Sequence, residues 1–352
     1  MTRLLVDFGS GSRIRTYDLW VMSPTSYLCS IPHYNSGFKT GLQRYILFLC
    51  CANLFTIIFP MDHKSGFVNI IGHPNVGKST LMNALVGEKL SIITSKAQTT
   101  RHRIMGIVNG DDFQIVYSDT PGMVKPHYKL HESMMKFVDA AIEDADVFLL
   151  VTEKGDAPFE DAFSARLSEL KRPVVVVLNK IDLCTQEEAG LLLSELETKF
   201  PGAVVIPVSA LHRFNLDRVF DTLIEKLPVS PAYYPKDELT DRSLRFFVSE
   251  IIREKILLYY KQEIPYSVEV AVDEYKEKEN ITHIAATVYV ARESQKAIIL
   301  GHHGKSIKGL GMAARKDIEA FIETRVFLEL RVKVSKDWRD DPQQLKRFGY
   351  DL

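Results

Sequence analysis

Short apolar runs alternate with amphipathic stretches between Phe67 and Leu227. Two of the runs, Val147 to Val151 and Val174 to Leu178, are continuous, which is typical of strands covered on both faces of a parallel sheet. Helical periodicity lies between the runs, over residues 132–145, 159–171, 187–199 and 215–227. Strands that alternate with helices in this way predict a doubly wound α/β domain.

One pair of strands is predicted to depart from the parallel arrangement. Asn109, Gly110 and Asp111 lie between two strand-like runs, and an Asn-Gly pair in that position favours a hairpin turn. We therefore expect a mostly parallel sheet with one antiparallel strand.

A different pattern begins after residues 228–242, which hold three prolines, have no period and are predicted to link two domains. Over residues 243–335, a helix and two alternating strands precede a helix, a glycine loop, a second helix and a final alternating strand. This pattern predicts a small α+β domain whose sheet has one exposed face. Residues 336–352 remain as a C-terminal tail, and residues 61–227 form the first domain.

Residues 1–60 lack any period until an apolar run of 16 residues that begins at Tyr45 and ends at Pro60. The run is shorter than the ~20 residues of a membrane span, and the long mixed stretch before it is untypical of a signal peptide. Residues 11–27 also resemble the peptide produced when a transfer-RNA gene is translated by mistake. Our interpretation is a non-native extension with translation starting at Met61; the alternative is a disordered tail with a weak membrane-associating segment.

The composition is that of a globular protein, but it does not indicate what the protein binds. The 352 residues are 46% hydrophobic, which is ample for buried cores, and 44 basic against 45 acidic side chains leave a net charge of -1. No global charge favours nucleic acid or membrane, so such a partner must be inferred from a local patch. Four cysteines without disulfide or metal spacing suit a reducing cytoplasm.

Residues 72–79 read GHPNVGKS and lie between a predicted strand and a predicted helix, which is the context that a GxxxxGK[ST] phosphate loop requires. Backbone amides at the start of the helix point at a bound anion, and Gly72 and Gly77 let the chain curl around a β-phosphate. Lys78 is predicted to reach the β- and γ-phosphates, and the Ser79 hydroxyl to ligate Mg²⁺.

The base is predicted from NKID at residues 179–182, at the carboxyl end of a predicted strand. A carboxylate at Asp182 can accept hydrogen bonds from N1 and N2 of guanine, and a buried one would reject adenine, which lacks the exocyclic donor. We expect Asn179 to tie this loop to its neighbours and the stem of Lys180 to lie along the base. The amide of Ala210, in the Ser209-Ala210-Leu211 segment, is predicted to bond guanine O6.

DTPG, at residues 119–122, supplies the remaining phosphate-side groups. Asp119 is placed to hold Mg²⁺, and the amide of Gly122 to bond the γ-phosphate. The second hydroxyl ligand of Mg²⁺ is Thr99 or Thr100, and we favour Thr100. Catalytic roles are assigned to Lys78, Thr100 and Gly122, and metal-binding roles to Ser79, Thr100 and Asp119.

These boxes together predict a guanine-nucleotide site. Its nucleotide-binding residues are Gly72, His73, Pro74, Asn75, Val76, Gly77, Lys78, Ser79, Thr80, Asp119, Thr120, Pro121, Gly122, Met123, Asn179, Lys180, Ile181, Asp182, Ser209, Ala210 and Leu211. The order of the boxes resembles that of the translation-factor class of GTPases, and residues 98–107 (QTTRHRIMGI) and 119–130 (DTPGMVKPHYKL) closely resemble the Era family. The resemblance extends from about Gly66 to the C-terminus.

Met123 follows DTPG, where Ras-like proteins place a glutamine that orients the attacking water. A methionine cannot do this, so hydrolysis is predicted to be slow unless a partner, a potassium ion or the γ-phosphate environment assists. No general base is named, and the segment Met123 to Leu130 is predicted to be a mobile switch.

The glycine loop of the second domain, residues 301–304 (GHHG), resembles the GxxG loop of a KH type II domain, which brings backbone amides close to single-stranded RNA. Its central positions are histidines where lysine is common in the family, and histidine is mostly neutral at pH 7. Four further cations follow at Lys305, Lys308, Arg315 and Lys316. The predicted RNA contacts are Gly301, His302, His303, Gly304, Lys305, Ser306 and Lys308.

The resemblance implies a monomeric, cytoplasmic GTPase that binds the 3′ region of small-subunit ribosomal RNA during assembly of the small ribosomal subunit. It also implies peripheral association with the inner face of the membrane. Two other readings stay open: a membrane-associated signalling GTPase, suggested by the apolar run before Met61, and an ATP-using P-loop enzyme, which would lack NKID.

Overall fold

The structure, a computed structural model, describes residues 63–96, 98–157 and 159–350. The apolar run from Tyr45 to Pro60, and with it the interpretation of residues 1–60, lies outside the described residues. In the described part of the chain, no helix has both the length and the apolar character needed to cross a bilayer.

In the described residues of the first domain, six strands form one sheet and five α-helices accompany them. The strands are β1 (Lys64–Ile71), β2 (Ile104–Asn109), β3 (Phe113–Asp119), β4 (Val147–Glu153), β5 (Val174–Asn179) and β6 (Val204–Pro207). The helices are α1 (Lys78–Val86), α2 (Lys129–Asp144), α3 (Asp161–Leu170), α4 (Gln186–Lys199) and α5 (Leu216–Lys226). The strand order is β2-β3-β1-β4-β5-β6.

The predicted sheet topology is confirmed. The pairs β1–β3, β1–β4, β4–β5 and β5–β6 are parallel, and β2 pairs antiparallel with β3 across the Gly110 hairpin. Apolar side chains of α1 and α5 pack on one face of the sheet, whereas those of α2 and α3 pack on the other. Because the central strands are covered on both faces, their runs are continuously apolar rather than alternating.

The second domain has the predicted order of elements. It comprises α6 (Leu244–Tyr259), β7 (Val268–Lys278), β8 (Ile281–Val290), α7 (Glu293–Leu300), α8 (Lys305–Ile322) and β9 (Val326–Val334). The sheet order is β7-β8-β9, with β7 antiparallel and β9 parallel to β8. Exposure alternates along β9 from buried Val326 onward, as expected for a sheet with one face in contact with the core.

The segment between the domains is held against the first sheet. The backbone amides of Tyr233 and Tyr234 each donate to Gln114 Oε1, at 2.7 and 2.9 Å respectively. The amide of Ile107, on the edge strand β2, donates to the carbonyl of Leu239 at 2.8 Å. Residues 228–242 therefore lack a periodic pattern because they run as an irregular segment that covers the edge of the sheet.

The C-terminal segment after β9 packs on the first domain. It contains the short helix α9 (Pro342–Arg347) and buries Trp338, Leu345 and Tyr350 against Leu130, Met134 and Phe137 of α2. The indole Nε1 of Trp338 donates to the Ser267 carbonyl at 3.0 Å. The described part of the predicted C-terminal tail, residues 336–350, thus joins α2 to the second domain.

Candidate functional site

A cavity of about 490 Å³ opens at the carboxyl edge of the six-stranded sheet. Loops that follow β1, β3, β5 and β6 form its walls, because parallel strands end at the same edge. Fifteen of the predicted residues line it: Pro74, Asn75, Gly77, Lys78, Ser79, Thr80, Thr100, Thr120, Gly122, Asn179, Lys180, Asp182, Ser209, Ala210 and Leu211.

The phosphate loop depends on three positions without a side chain. A Cβ on Gly72 would lie 2.2 Å from the Val151 carbonyl oxygen, and one on Gly122 would lie 2.8 Å from the backbone of Pro74. Gly77 has φ +95°, a conformation that side chains rarely adopt, and directly precedes α1. The free amides at the start of α1 therefore face the cavity and fit an anion.

Lys78 is held inside this loop. Its ammonium donates to the carbonyls of Gly72 and His73 at 2.9 and 2.7 Å, and the residue is 6% exposed. Burial lowers the pKa of Lys78 to about 8, and the negative charges of Asp119 and Asp156 offset part of that shift. A bound phosphate would add further negative charge and favour the protonated amine.

Three oxygen-bearing side chains meet beside Lys78. Ser79 Oγ donates to Asp119 Oδ2 at 2.6 Å, and the hydroxyls of Ser79 and Thr100 lie 2.8 Å apart. Burial raises the pKa of Asp119, and hydrogen bonds from Ser79 and Thr100 act in the opposite direction. Within the described residues the second carboxylate oxygen, Oδ1, is buried and has no partner. This set of hard oxygen donors fits Mg²⁺.

The structure separates the two threonine alternatives. Thr100 Oγ1 lies 3.3 Å from Asp119 Oδ2, whereas Thr99 Oγ1 is bonded to Thr94 Oγ1 at 2.7 Å and to the Lys96 carbonyl at 2.6 Å. The geometry therefore favours Thr100 as the hydroxyl next to the metal site.

Asn179 joins two walls of the cavity. Its Nδ2 donates to the Val76 carbonyl of the phosphate loop at 2.8 Å, and its Oδ1 accepts from the Ala210 amide at 3.0 Å. The residue is 2% exposed. Lys180 adds a bond from Nζ to the Asn75 carbonyl at 2.7 Å. The loop after β5 is thus bonded to the phosphate loop and to the loop after β6.

Asp182 lies at the mouth of the cavity, with its side chain 28% exposed rather than buried as expected. Ser209 Oγ donates to Asp182 Oδ1 at 2.5 Å, and this hydrogen bond lowers the pKa of the carboxyl. An ionised carboxylate can accept hydrogen bonds from both the N1 and the N2 donors of guanine. Leu183 and Leu211 are exposed and also line the cavity.

Seven predicted residues do not line the cavity: Gly72, His73, Val76, Asp119, Pro121, Met123 and Ile181. Some of them still support the site through hydrogen bonds. The Val76 carbonyl accepts from Asn179, and the Asp119 carboxylate accepts from Ser79. The sequence interpretation missed Ile92, Ile93, Thr94, Ser95, Gln98 and Leu183. All but Leu183 lie between Leu90 and Thr99, a stretch whose sequence has no period and whose only predicted role was to supply a metal-binding hydroxyl.

The switch segment after DTPG is shorter than expected. Helix α2 begins at Lys129, so Lys129 and the fully buried Leu130 belong to it. Met123 packs against the apolar core that contains Val138 and Ile142 of α2.

In the second domain, the GHHG segment turns sharply between α7 and α8. Gly301 and Gly304 have positive φ values of 68° and 72°, and His303 shares that conformation at 51°. His302 and His303 are exposed, with ring centroids 4.0 Å apart. Ser306 is directed inward: its Oγ bonds to the Tyr260 hydroxyl at 2.9 Å. Its side chain therefore supports the loop rather than facing outward.

A groove of about 320 Å³ runs beside this loop between α8 and β9. Lys308 and Arg315 line it together with Met312 and Phe327, which are 61% and 54% exposed. Apolar and aromatic side chains with cations beside them suit stacked bases and a phosphate backbone.

A phosphate loop, DTPG and NKID on a doubly wound sheet, followed by this second fold, define a P-loop GTPase with a C-terminal KH domain. Two family models match accordingly: "50S ribosome-binding GTPase" over residues 67–180 and "KH domain" over residues 263–339.

Curated relatives named GTPase Era occur in Syntrophus aciditrophicus (47% identity; 82% of this chain and 95% of the relative) and Alkaliphilus metalliredigens (42%; 83% and 100%). The crystal structure of a variant of Aquifex aeolicus Era bound to GDP.AlF4- matches with 38% identity and a TM-score of 0.79, covering 82% of this chain and all of that one. An Era complex with MgGDPNP and nucleotides 1506–1542 of 16S ribosomal RNA matches with the same identity, coverage and TM-score. The chain belongs to the Era family of GTPases.

Replacing Asn179 tests whether its two bonds organise the pocket. We expect Asn179→Ala to lower the affinity for GTP and GDP alike, by about tenfold to 100-fold, because two buried backbone groups lose partners worth about 1–3 kcal/mol. Titration with fluorescent nucleotides measures the change. Asn109→Ala is the matched control, since Asn109 bridges Lys236 and Gln114 at the far end of the sheet. Equal losses in both variants would contradict the prediction.

Proposed function

We propose that this GTPase is a nucleotide-controlled RNA-binding protein that acts in assembly of the small ribosomal subunit and binds the 3′ region of its ribosomal RNA. The observation that carries the proposal is the presence, in one chain, of the phosphate-loop cavity and the cation-lined groove beside GHHG. The relative that contains MgGDPNP and a 16S ribosomal RNA fragment supports it.

The nucleotide is bound from both ends of the cavity. Asp182, oriented by Ser209, accepts from guanine. The amide of Ala210, which was predicted to bond guanine O6, instead donates to Asn179 Oδ1 and so holds the loop after β6 at the base end of the cavity. Lys78 and the amides at the start of α1 hold the phosphates, while Ser79, Thr100 and Asp119 would hold Mg²⁺. When bound, Mg²⁺ neutralises charge on the β- and γ-phosphate oxygens.

Hydrolysis is slow in this proposal because no polar side chain occupies the position after DTPG. The Met123 side chain packs on the core and offers neither a donor nor a strong acceptor to water. The backbone amide of Gly122 remains available to the γ-phosphate, and assistance comes from a potassium ion or from the bound partner.

RNA binding uses the loop backbone and the groove together. Lys305 and Lys308 are exposed at the start of α8, so their charges attract the phosphates of an RNA strand beside the loop. Phe327, exposed on the edge strand β9, offers a face on which a base can stack.

Substituting Asp182 tests the guanine assignment. We expect Asp182→Asn to weaken GTP binding about 100-fold, since two hydrogen bonds to a charged acceptor are worth about 1.5–3 kcal/mol each. Binding of xanthosine triphosphate should improve, because an amide can donate to its 2-oxo group. Competition titrations measure both changes, with Asp217→Asn on the exposed start of α5 as the control. Unchanged preference for GTP over xanthosine triphosphate, or preference of the native chain for ATP, would refute the assignment.

Removing the two lysines of α8 tests the RNA groove. We expect the double variant Lys305→Ala, Lys308→Ala to bind an RNA with the relative's 16S sequence more weakly. The slope of log K against log[salt] should become shallower by about 1.4, because each lost contact to a single strand removes about 0.7. The matched control removes Lys276 and Lys278, which lie exposed on β7 at the opposite edge of the sheet. If both double variants changed binding alike, the groove would not be the RNA site.

A membrane-associated signalling GTPase is the second candidate, favoured by the apolar run from Tyr45 to Pro60. A variant that begins at Met61 separates the two. We expect it to co-sediment with the small ribosomal subunit as the full chain does, because the described groove and cavity lie beyond residue 61. Loss of that association, together with loss of sedimentation on vesicles of anionic lipid, would favour the membrane function.

A further inference from the structure

The segment that carries Thr100 has little backbone structure of its own. Among the described residues, those from Ile92 to Arg103 make no backbone-to-backbone hydrogen bond. Thr100 nevertheless reaches Ser79 and Asp119, so its position must be set by other contacts.

Those contacts are made by residues of the second domain, in α6 and at the start of β7. On one side of Thr100, the Thr99 carbonyl accepts a hydrogen bond from the guanidinium of Arg253 in α6. On the other side, Arg101 donates to the Val268 carbonyl at 2.6 Å and to Glu269 Oε2 at 3.0 Å, both at the start of β7. Both neighbours of the metal-site threonine are thus hydrogen-bonded to the second domain.

Arg253 is built to hold a fixed position. It is fully buried, and Glu250, one turn earlier on α6, accepts from its Nε at 2.8 Å and from its Nη2 at 2.5 Å. This bidentate pair orients the planar guanidinium, so the direction of the bond to Thr99 is set before any nucleotide binds.

We infer that Arg253 is a positioning residue for the GTPase centre: from the KH domain, it holds the Thr99 carbonyl so that the Thr100 hydroxyl stays at the Mg²⁺ site. The inference rests on the proposed role of Thr100. Switch threonines contact the metal in the triphosphate state and are released after hydrolysis. Arg253 therefore acts on the complex with GTP and Mg²⁺ and leaves the complex with GDP unaffected, whereas a merely structural residue would alter both.

The test measures the Mg²⁺ concentration that half-maximally slows dissociation of fluorescent nucleotides from the full chain. Arg253→Lys keeps the charge beside Glu250 but not the forked geometry. We expect it to raise the Mg²⁺ requirement about tenfold for a non-hydrolysable GTP analogue, as loss of outer-shell support typically does, and less than about twofold for GDP. Arg245→Lys, the same change on the exposed side of α6, is the control and should alter neither.

A double-mutant cycle makes the assignment specific. In a Thr100→Ala background, Arg253→Lys should add nothing, because the hydroxyl that it positions is gone. Arg253→Met with Glu250→Gln removes the ion pair as a unit, leaves no unpaired buried charge and should produce the same triphosphate-selective shift. This second variant decides the question if Arg253→Lys does not fold.

Equal shifts for the analogue and GDP, or additive effects with Thr100→Ala, would overturn the inference. If Thr100→Ala shifts the triphosphate requirement but neither Arg253 variant does, the inference fails and the proposed metal site stands. If Thr100→Ala itself has no effect, both fail.

Discussion

The side-chain amide of Asn179 is bonded at both ends, to the phosphate loop through Val76 and to the loop after β6 through Ala210. Parallel strands bring these loops to one edge of the sheet, but a shared edge does not fix their separation. Two buried hydrogen bonds from one rigid group do fix it, and leaving either backbone group unpaired would be costly. The distance between the base end and the phosphate end of the cavity depends on this residue.

The domains meet through buried charge rather than through an apolar face alone. Arg101 and Glu269 pair at 3.0 Å, and the Tyr350 hydroxyl donates to the same carboxylate at 2.7 Å. All three residues are at most 4% exposed. Buried ions are tolerated only when they are paired and hydrogen-bonded. The charges of this cluster are therefore satisfied in only one relative arrangement of the three chain segments that contribute its residues. Those parts are the segment before β2, the start of β7 and the C-terminal segment.

Much of the fold follows from local pattern. The continuous apolar runs at β4 and β5 predicted strands covered on both faces, and the turn at Asn109 predicted the antiparallel edge strand; both are confirmed. The phosphate-loop and NKID residues could be located because their spacing is local and their chemistry depends on residue type. Asp182 was expected to be buried and is partly exposed, since burial of a loop side chain depends on neighbours distant in sequence.

The sequence by itself determined which residue types stand at the ends of which strands, because period and motif spacing are properties of neighbouring positions. Only the tertiary structure decided that Thr100, rather than Thr99, faces Asp119, and that Ser306 turns inward to Tyr260. It alone showed that Trp338 and Tyr350 close over α2. These outcomes arise from contacts between segments that lie far apart along the chain, and no local period encodes them.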